Sequence, residues 1–475
     1  MRKPVNGNKK MQQLRKYKSI FGLLILNVLV SIVVFNISIK MGFGDEKAYL
    51  MQAKGLLNQN FSSWYFLDAY YPETHRTPGY PMLLAVCIKL FGSKYAVQLV
   101  QLLAWFASLY FSSRIVLFMT NKCNLTLSLF LIFTALSIQL PYYSGLIAAE
   151  SFTILFLAAY LYLFIAKEKT KANAIFLGIL AALVFQMRPS FLLFPCILLI
   201  ASSALNRGTL KYLVIHLFVF IILLLPFTLW NKTHHGVWKA TSLEGGGGVA
   251  HMGYWQFKLP PNYKEKYYWG NNTFNDLTNP FVVSSTDAES YLTVFEKEWV
   301  EILNEIDGFE SEADKKNLRM MKDSSLQIFP IHNSKYTIER EKLLWEKTLQ
   351  NVLADPWYYI KTRLYVVCRV YFTGINADRL RAAQGFVENF KELYPFLVTF
   401  VFIFLGLLFS ILHYLRIKGA DTKGFNILLL VSIYYGVVHT AFAIQARYTV
   451  PVHLCILILL SVTLVDNLKK NQFKE

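Results

Sequence analysis

Carboxylates able to take a proton and arginines able to hold a phosphate recur where this chain's apolar stretches begin and end. Asp45, Glu46 and Tyr49 follow the uncharged run 19–39, and Glu73, His75 and Arg76 precede Thr77-Pro78-Gly79-Tyr80-Pro81. Glu150 opens one apolar run, Arg188 interrupts another, Asn231 with His234 and His235 ends a third, and Arg447-Tyr448 opens the last. A positioned carboxylate removes the proton of an attacking hydroxyl, and guanidinium forks stabilise the charge on a departing phosphate. The combination suits transfer of a sugar from a lipid phosphate to a hydroxyl. Arg76, Arg188 and Arg447 are the phosphate candidates, and Tyr49, His75, Glu150, Asn231 and Tyr448 the supporting ones. Each also has a plainer reading: arginines at helix ends snorkel to headgroups, and Glu150 sits where a helix dipole favours an acid.

Membrane helices are what must bring these residues together. Of 475 residues, 55% are hydrophobic and 16% charged, against about 45–50% and about 25% in soluble domains. That balance excludes a plain globular enzyme. Apolar stretches at 19–39, 95–118, 125–141, 150–166, 174–187, 191–205, 212–230, 395–415, 425–443 and 448–465 predict about ten transmembrane helices in an all-α polytopic protein. The net charge of +18 points to nucleic acid only if it is spread over an outer surface, and it is not. The expected cytoplasmic pieces, 1–18, 119–124, 167–173, 206–211, 416–424 and 466–475, hold nineteen Lys and Arg against four acids, while 231–394 holds twenty against twenty-one. By the positive-inside rule both termini are cytoplasmic and the ionisable cluster faces outward. Run 19–39 is too long for a signal peptide and lacks a cleavage site.

These counts divide the chain into a basic tail (1–18), an N-terminal membrane module (19–230) whose first outer loop is 40–94, an extracytoplasmic insertion (231–394), C-terminal membrane helices (395–465) and a cytoplasmic tail (466–475). Within 174–205, Arg188-Pro189 favours two short helices over one long one. Segments 81–91 and 357–372 are expected at the outer interface, the second because Lys361, Arg363 and Arg369 would be costly in lipid. The insertion's alternating charges predict amphipathic helices. Gly245-Gly246-Gly247-Gly248 at its entrance predicts a flexible hinge, since no Gly-Lys-Ser/Thr follows to make a phosphate loop. Trp64, Tyr70, Tyr71, Trp230 and Trp238 read as an interfacial aromatic belt. The five cysteines, in no metal or redox spacing, read as packed thiols.

Asp45-Glu46-Lys47-Ala48-Tyr49 resembles the Asp-Glu-x-x-Tyr element in the first outer loop of GT-C membrane glycosyltransferases of the family 39 type, the group of protein O-mannosyltransferases and aminoarabinose transferases. Arg76-Thr77-Pro78 is similar to the Arg/His-x-Pro segment that follows there. Ser144 to Glu150, Met187-Arg188-Pro189-Ser190, the Pro226 to Asn231 stretch and Ala446-Arg447-Tyr448 match in order across nearly the whole chain. The resemblance implies a GT-C-like helical bundle and inverting transfer from a polyprenyl-phosphate-linked sugar, with Asp45 as base and Glu46 less securely so. A long insertion after the seventh predicted span departs from the larger members, so the acceptor (lipid, glycan or protein) does not carry over.

The expected partners are the lipid-linked donor, a hydroxyl acceptor and the bilayer, with no nucleic acid. The cofactor is left unknown: the sequence carries no metal-ligand spacing, and a divalent cation requirement stays open. Three rivals remain: a flippase of polyprenyl-linked saccharide, a polysaccharide polymerase or ligase, and a non-catalytic assembly protein. A flippase predicts repeated halves and interrupted mid-membrane helices, which the sequence lacks. With no ER-retrieval signal, the expected location is a bacterial cytoplasmic membrane.

Overall fold

A computed structural model describes residues 6–42, 44–203, 210–259, 277–278, 280–281, 285–323, 332–375, 377–416, 423–445 and 447–472, the backbone alone at 6–17, 199–203, 285, 288, 321–323, 377–378, 423 and 471–472. Most of 1–18, together with 204–209, 417–422, Ala446 and 473–475, therefore lies outside the described side chains, and part of the expected cytoplasmic charge with it. Among the described residues the regular structure is helical, without a strand.

The N-terminal half runs α1 (Asn6–Ser38), α2 (Glu46–Leu57), α3 (Gly79–Phe91), α4 (Lys94–Met119), α5 (Asn124–Leu136), α6 (Gln139–Tyr142), α7 (Glu150–Ala166), α8 (Lys171–Met187), α9 (Phe194–Ser203) and α10 (Leu210–His235). The segment between Gly247 and Ala382 contributes α11 (Gly247–Trp255), α12 (Ser285–Ile306), α13 (Glu312–Asp323), α14 (Ser334–Ala354), α15 (Pro356–Arg369) and α16 (Ala377–Ala382). Last come α17 (Phe386–Val398), α18 (Gly406–Arg416), α19 (Lys423–Thr440) and α20 (Val450–Gln472), with a π-helical turn over Thr399–Leu405 joining α17 to α18.

Five helices among the described residues are long and apolar enough to cross a membrane: Lys18–Ser38, Lys94–Met119, Leu210–His235, Phe386–Arg416 and Val450–Lys470. The expectation of about ten is corrected to these five. The other expected spans fall on shorter helices: α5 has 13 residues and α7 and α8 have 17 each, or ~20–26 Å at ~1.5 Å per residue. Stretch 125–141 ran past the end of α5 at Leu136, whereas 150–166 coincides with α7 and 174–187 lies within α8, helices shorter than the ~20 residues a crossing needs. The spanning helices turn apolar side chains outward, as with Phe21, Leu29 and Val33 on α1, where lipid is a suitable neighbour. Polar contacts inside tie helices together. Asn27 donates to Leu131 O at 2.9 Å and the Trp105 indole to Ser31 Oγ at 2.8 Å, bonds that would otherwise be left unmade in hydrocarbon. Helix α20 occupies the middle of the core, with Val452, Ile456, Leu457 and Leu459 sealed from solvent.

Run 174–205 divides as expected, α8 ending at Met187 and α9 beginning at Phe194, with Arg188 in the break. Helix α15 is not among the long apolar helices. Its Arg363 and Arg369 are buried in protein and bonded to backbone carbonyls. Two expectations are corrected. The glycine run is packed and bonded rather than a loose hinge: a Cβ on Gly247 would sit 1.9 Å from Glu341 O, so α11 lies directly on α14. The amides of Gly246 and Gly248 donate to Glu341 Oε2 at 3.1 and 3.2 Å. Trp64 and Tyr71 do not face an interface either; both pack on Leu318 of the insertion, and the Tyr71 hydroxyl donates to Asp314 at 2.8 Å.

Candidate functional site

Asp45 ends the turn that joins α1 to α2 and occupies the position before the first helical residue, where an aspartate normally accepts from the helix's own free amides. Here its side chain makes no such bond. Its two oxygens go elsewhere: Oδ1 accepts from Arg76 Nη2 at 2.8 Å and Oδ2 from Arg447 Nη2 at 2.9 Å. Arg76 comes from the loop before α3 and Arg447 from the loop before α20, 402 residues along the chain from Asp45. Burial would raise the Asp45 carboxyl, but the charges of Arg76 and Arg447 outweigh it and hold the group at about 2. The same pairing keeps both arginines charged although burial opposes it. The guanidinium of Arg76 also lies over the Tyr49 ring, 4.7 Å from its centre, and Arg447 Nε donates to Gln445 Oε1 at 2.7 Å.

A second ion pair adjoins the first. Glu150, the first residue of α7, is sealed from solvent and accepts from Arg188 at the break between α8 and α9. The Arg188 guanidinium stands 6.0 Å from the centre of the Tyr448 ring, and its buried Nε has no hydrogen-bond partner among the described residues. Burial would lower its pKa, but Glu150 more than restores the charge. Arg447 feels both Glu150 and Asp45, so three arginines and two carboxylates form one cluster. Arg76, Arg188 and Arg447 are 12%, 18% and 18% exposed, enough to be reached and too little to be well hydrated.

Five of the ten sequence candidates thus converge with their charges paired: Asp45, Arg76, Glu150, Arg188 and Arg447. Tyr49 and Tyr448 provide ring faces beside the arginines. The other three make their side-chain pairs outside the cluster. Glu46 turns away and pairs with Lys94 at 3.0 Å. His75 lies 2.8 Å from Glu244. Asn231 holds the turn after α10, donating to Lys239 O and Thr241 O. His234 stacks on Trp230 within its own helix, and His235 meets Ser334 at 2.7 Å. Among the described residues no three His, Cys, Asp or Glu side chains are grouped so as to hold a metal ion, and the cysteines are free.

The structure adds residues that the sequence reading passed over. Gln98 and Gln101 on α4 donate to the carbonyls of Gly145, Ser144 and Leu146, fixing the loop that delivers Glu150. Tyr80 donates to Gln101 at 2.7 Å, so α3 is tied to the same loop. Two amides at a one-turn spacing inside an apolar span were the available signal. Glu244, held by Arg340 at 3.1 Å and Thr74 at 2.8 Å besides His75, had only its place beside the glycine run to mark it. Arg340 had no mark, being one charge among many on an amphipathic helix.

No family model and no curated protein matches this chain. Among solved structures it is similar to the oligosaccharyltransferase of Archaeoglobus fulgidus tethered with an acceptor peptide, at 12% identity and a TM-score of 0.46, over 95% of this chain and 50% of that one. It is also similar to the oligosaccharyltransferase AglB of the same organism in complex with an inhibitory peptide and a dolichol-phosphate, at 14% identity and a TM-score of 0.44, over 98% and 52%. A third is ArnT from Cupriavidus metallidurans bound to undecaprenyl phosphate, at 12% and 0.36, over 93% and 78%. The chain spans about half the length of the two oligosaccharyltransferase chains.

Proposed function

We propose that this protein is an inverting glycosyltransferase of GT-C type, moving a sugar from a polyprenyl-phosphate-linked donor to a hydroxyl acceptor at the outer face of a membrane. The observation that carries the reading is the Asp45 carboxylate bracketed by Arg76 at 2.8 Å and Arg447 at 2.9 Å. Two guanidinium groups already assembled around one carboxylate are also a preorganised phosphate site. The ordered motif resemblance of the sequence points to the same chemistry.

In the resting arrangement both Asp45 oxygens are occupied and the group, at about 2, is too acidic to be an effective base. A donor phosphate arriving at Arg76 and Arg447 draws their charge toward itself, which frees a carboxylate oxygen and raises its proton affinity. Asp45 then takes the proton of the acceptor hydroxyl as the acceptor's oxygen attacks the anomeric carbon from the face opposite the phosphate. The carbon–oxygen bond to phosphate breaks, its electron pair leaves with the polyprenyl phosphate, and the centre inverts. Arg188 beside Glu150 contributes further charge to the leaving group. Insertion 231–394 lies on the outer side of a bacterial membrane and shapes acceptor access.

Purified protein in liposomes with labelled polyprenyl-phosphate sugar tests this. Donor consumption is expected to require an acceptor and to fall at least ~10²-fold in Asp45→Asn, the lower end for loss of a general base. Unchanged turnover removes Asp45 from the reaction, and intact donor crossing the bilayer makes the protein a flippase.

A further inference from the structure

The loop that carries Arg447 is built by the outer insertion as much as by the membrane helices it joins. Helix α19 ends at Thr440 and α20 begins at Val450; the described residues between them make turn bonds such as Phe442 N to His439 O and Tyr448 N to Gln445 O. The insertion supplies further partners. Gln256, just past α11 and buried, reads both backbone groups of Ile444: its Oε1 accepts from Ile444 N at 3.0 Å and its Nε2 donates to Ile444 O at 3.1 Å. Ala443 N donates to Val249 O at 3.0 Å. Arg363 of α15 donates from Nη1 to Thr440 O at 2.9 Å and Phe442 O at 3.2 Å, and from Nη2 to Gly253 O at 2.9 Å. A cation there also suits the negative end of α19. Gly253 is the contact face: a Cβ on it would lie 2.7 Å from Ala443 N and from the Phe442 carbonyl carbon. The next residue along, Gln445, is the one that holds Arg447 Nε.

We propose that Gln256, supported by Gly253 and Arg363, is a positioning residue that fixes the 440–447 loop and so sets Arg447 against Asp45. It touches no reacting atom and acts through Arg447. Buried backbone groups must find partners, and Ile444, whose N–H and C=O both go to the Gln256 amide, has few alternatives when that side chain is shortened. The insertion is then a structural part of the arginine site as well as a cover over it. The phosphate-binding arm of the test below rests on the proposed function, whereas the other two arms do not.

The full chain in lipid nanodiscs is compared as wild type, Gln256→Ala, Gln256→Glu, Arg447→Ala and the Gln256→Ala/Arg447→Ala double variant. Hydrogen exchange at Ala443 and Ile444 is expected to quicken at least ~10-fold in Gln256→Ala, the worth of about one or two hydrogen bonds. Gln256→Glu, which keeps the acceptor and loses the donor, falls between. Losses of melting temperature from Gln256→Ala and Arg447→Ala overlap instead of adding, because the second removes what the first displaces. With undecaprenyl phosphate as probe, Gln256→Ala weakens binding ~10-fold in the wild-type background and less than ~2-fold when Arg447 is already alanine. Unchanged exchange, or additive losses in both stability and binding, overturns the proposal. If the wild type binds no undecaprenyl phosphate while exchange and stability behave as expected, the phosphate reading fails and the positioning role stands.

Discussion

Two carboxylates in this protein each face two basic side chains, and they differ in what else holds them. Glu244 is saturated: Arg340 at 3.1 Å, His75 at 2.8 Å and the Thr74 hydroxyl at 2.8 Å surround it, its own amide donates to Thr74 O, and Arg340 is 2% exposed. Asp45 has a guanidinium on each oxygen, and its arginines remain partly open. Burial would raise the pKa of both carboxylates and the facing cations hold both down. The direction of the shift is therefore the same in both places. The difference is replaceability: an arriving phosphate can substitute for Asp45 at open arginines, whereas nothing can replace Glu244 without stranding a buried hydroxyl, an imidazole and an arginine.

The largest effect expected from this contrast is at Arg340. Arg340→Leu leaves Glu244 buried without its main counter-charge and is expected to cost about 3–5 kcal/mol, with much of the loss recovered in an Arg340→Leu/Glu244→Leu double variant. Thermal melts in detergent measure it. A melting temperature unmoved by Arg340→Leu would put the Glu244 cluster on the same footing as Asp45.

Asp45→Asn is expected to do two things that a structural carboxylate would not do together. Turnover falls at least ~10²-fold, while undecaprenyl phosphate binds about 10-fold more tightly, because the arginines no longer have an internal anion competing for them. Equilibrium binding to protein in nanodiscs separates these. Weaker binding in the variant would mean that Asp45 orients the arginines and does not compete with phosphate.

A smaller effect follows from acid. The folded Asp45 carboxyl at about 2 lies below the ordinary value of about 3.9, so the ion pairs contribute stability that is fully present above about pH 4 and is lost as pH falls toward 2. The melting-temperature gap between wild type and Asp45→Asn is expected to be constant from pH 7 to about 5 and to narrow below about 4. A gap that widens on acidification has the sign wrong and would point to a different titrating group.

Much of this was legible in the sequence because polar residues are costly in an apolar chain and stand out there. Asp45, Arg76, Glu150, Arg188 and Arg447 were visible for that reason, and Arg188-Pro189 marked a real helix break. Composition could not say which neighbour each charge would choose. Glu46 and Asp45 are adjacent and chemically alike, yet a helix start turns successive side chains about 100° apart, so one meets two arginines and the other faces Lys94. The span count failed for a related reason: hydropathy sums over a stretch and does not register where a turn ends the helix, as at Leu136 on α5. The glycine run misled because glycine serves close backbone approach as well as flexibility, and only the partner helix, Glu341 against Gly247, decides between them.

The smallest expected effect uses that adjacency. Glu46→Gln removes a carboxylate next to Asp45 in sequence, and a reaction depending on acidic loop character in general would suffer from either change. The structure separates them. Glu46 pairs with Lys94, whose side chain is 45% exposed, and ion pairs of that kind contribute about 0–1 kcal/mol because water screens the charges and the long side chain loses entropy. Glu46 also occupies the first turn of α2, where its charge suits the helix dipole by a further few tenths of a kcal/mol. Glu46→Gln should therefore leave turnover within about 2-fold of wild type and lower the melting temperature only slightly. A fall in turnover as deep as that of Asp45→Asn would move the base one residue along the chain, and the two arginines would then be holding Asp45 purely as a counter-ion.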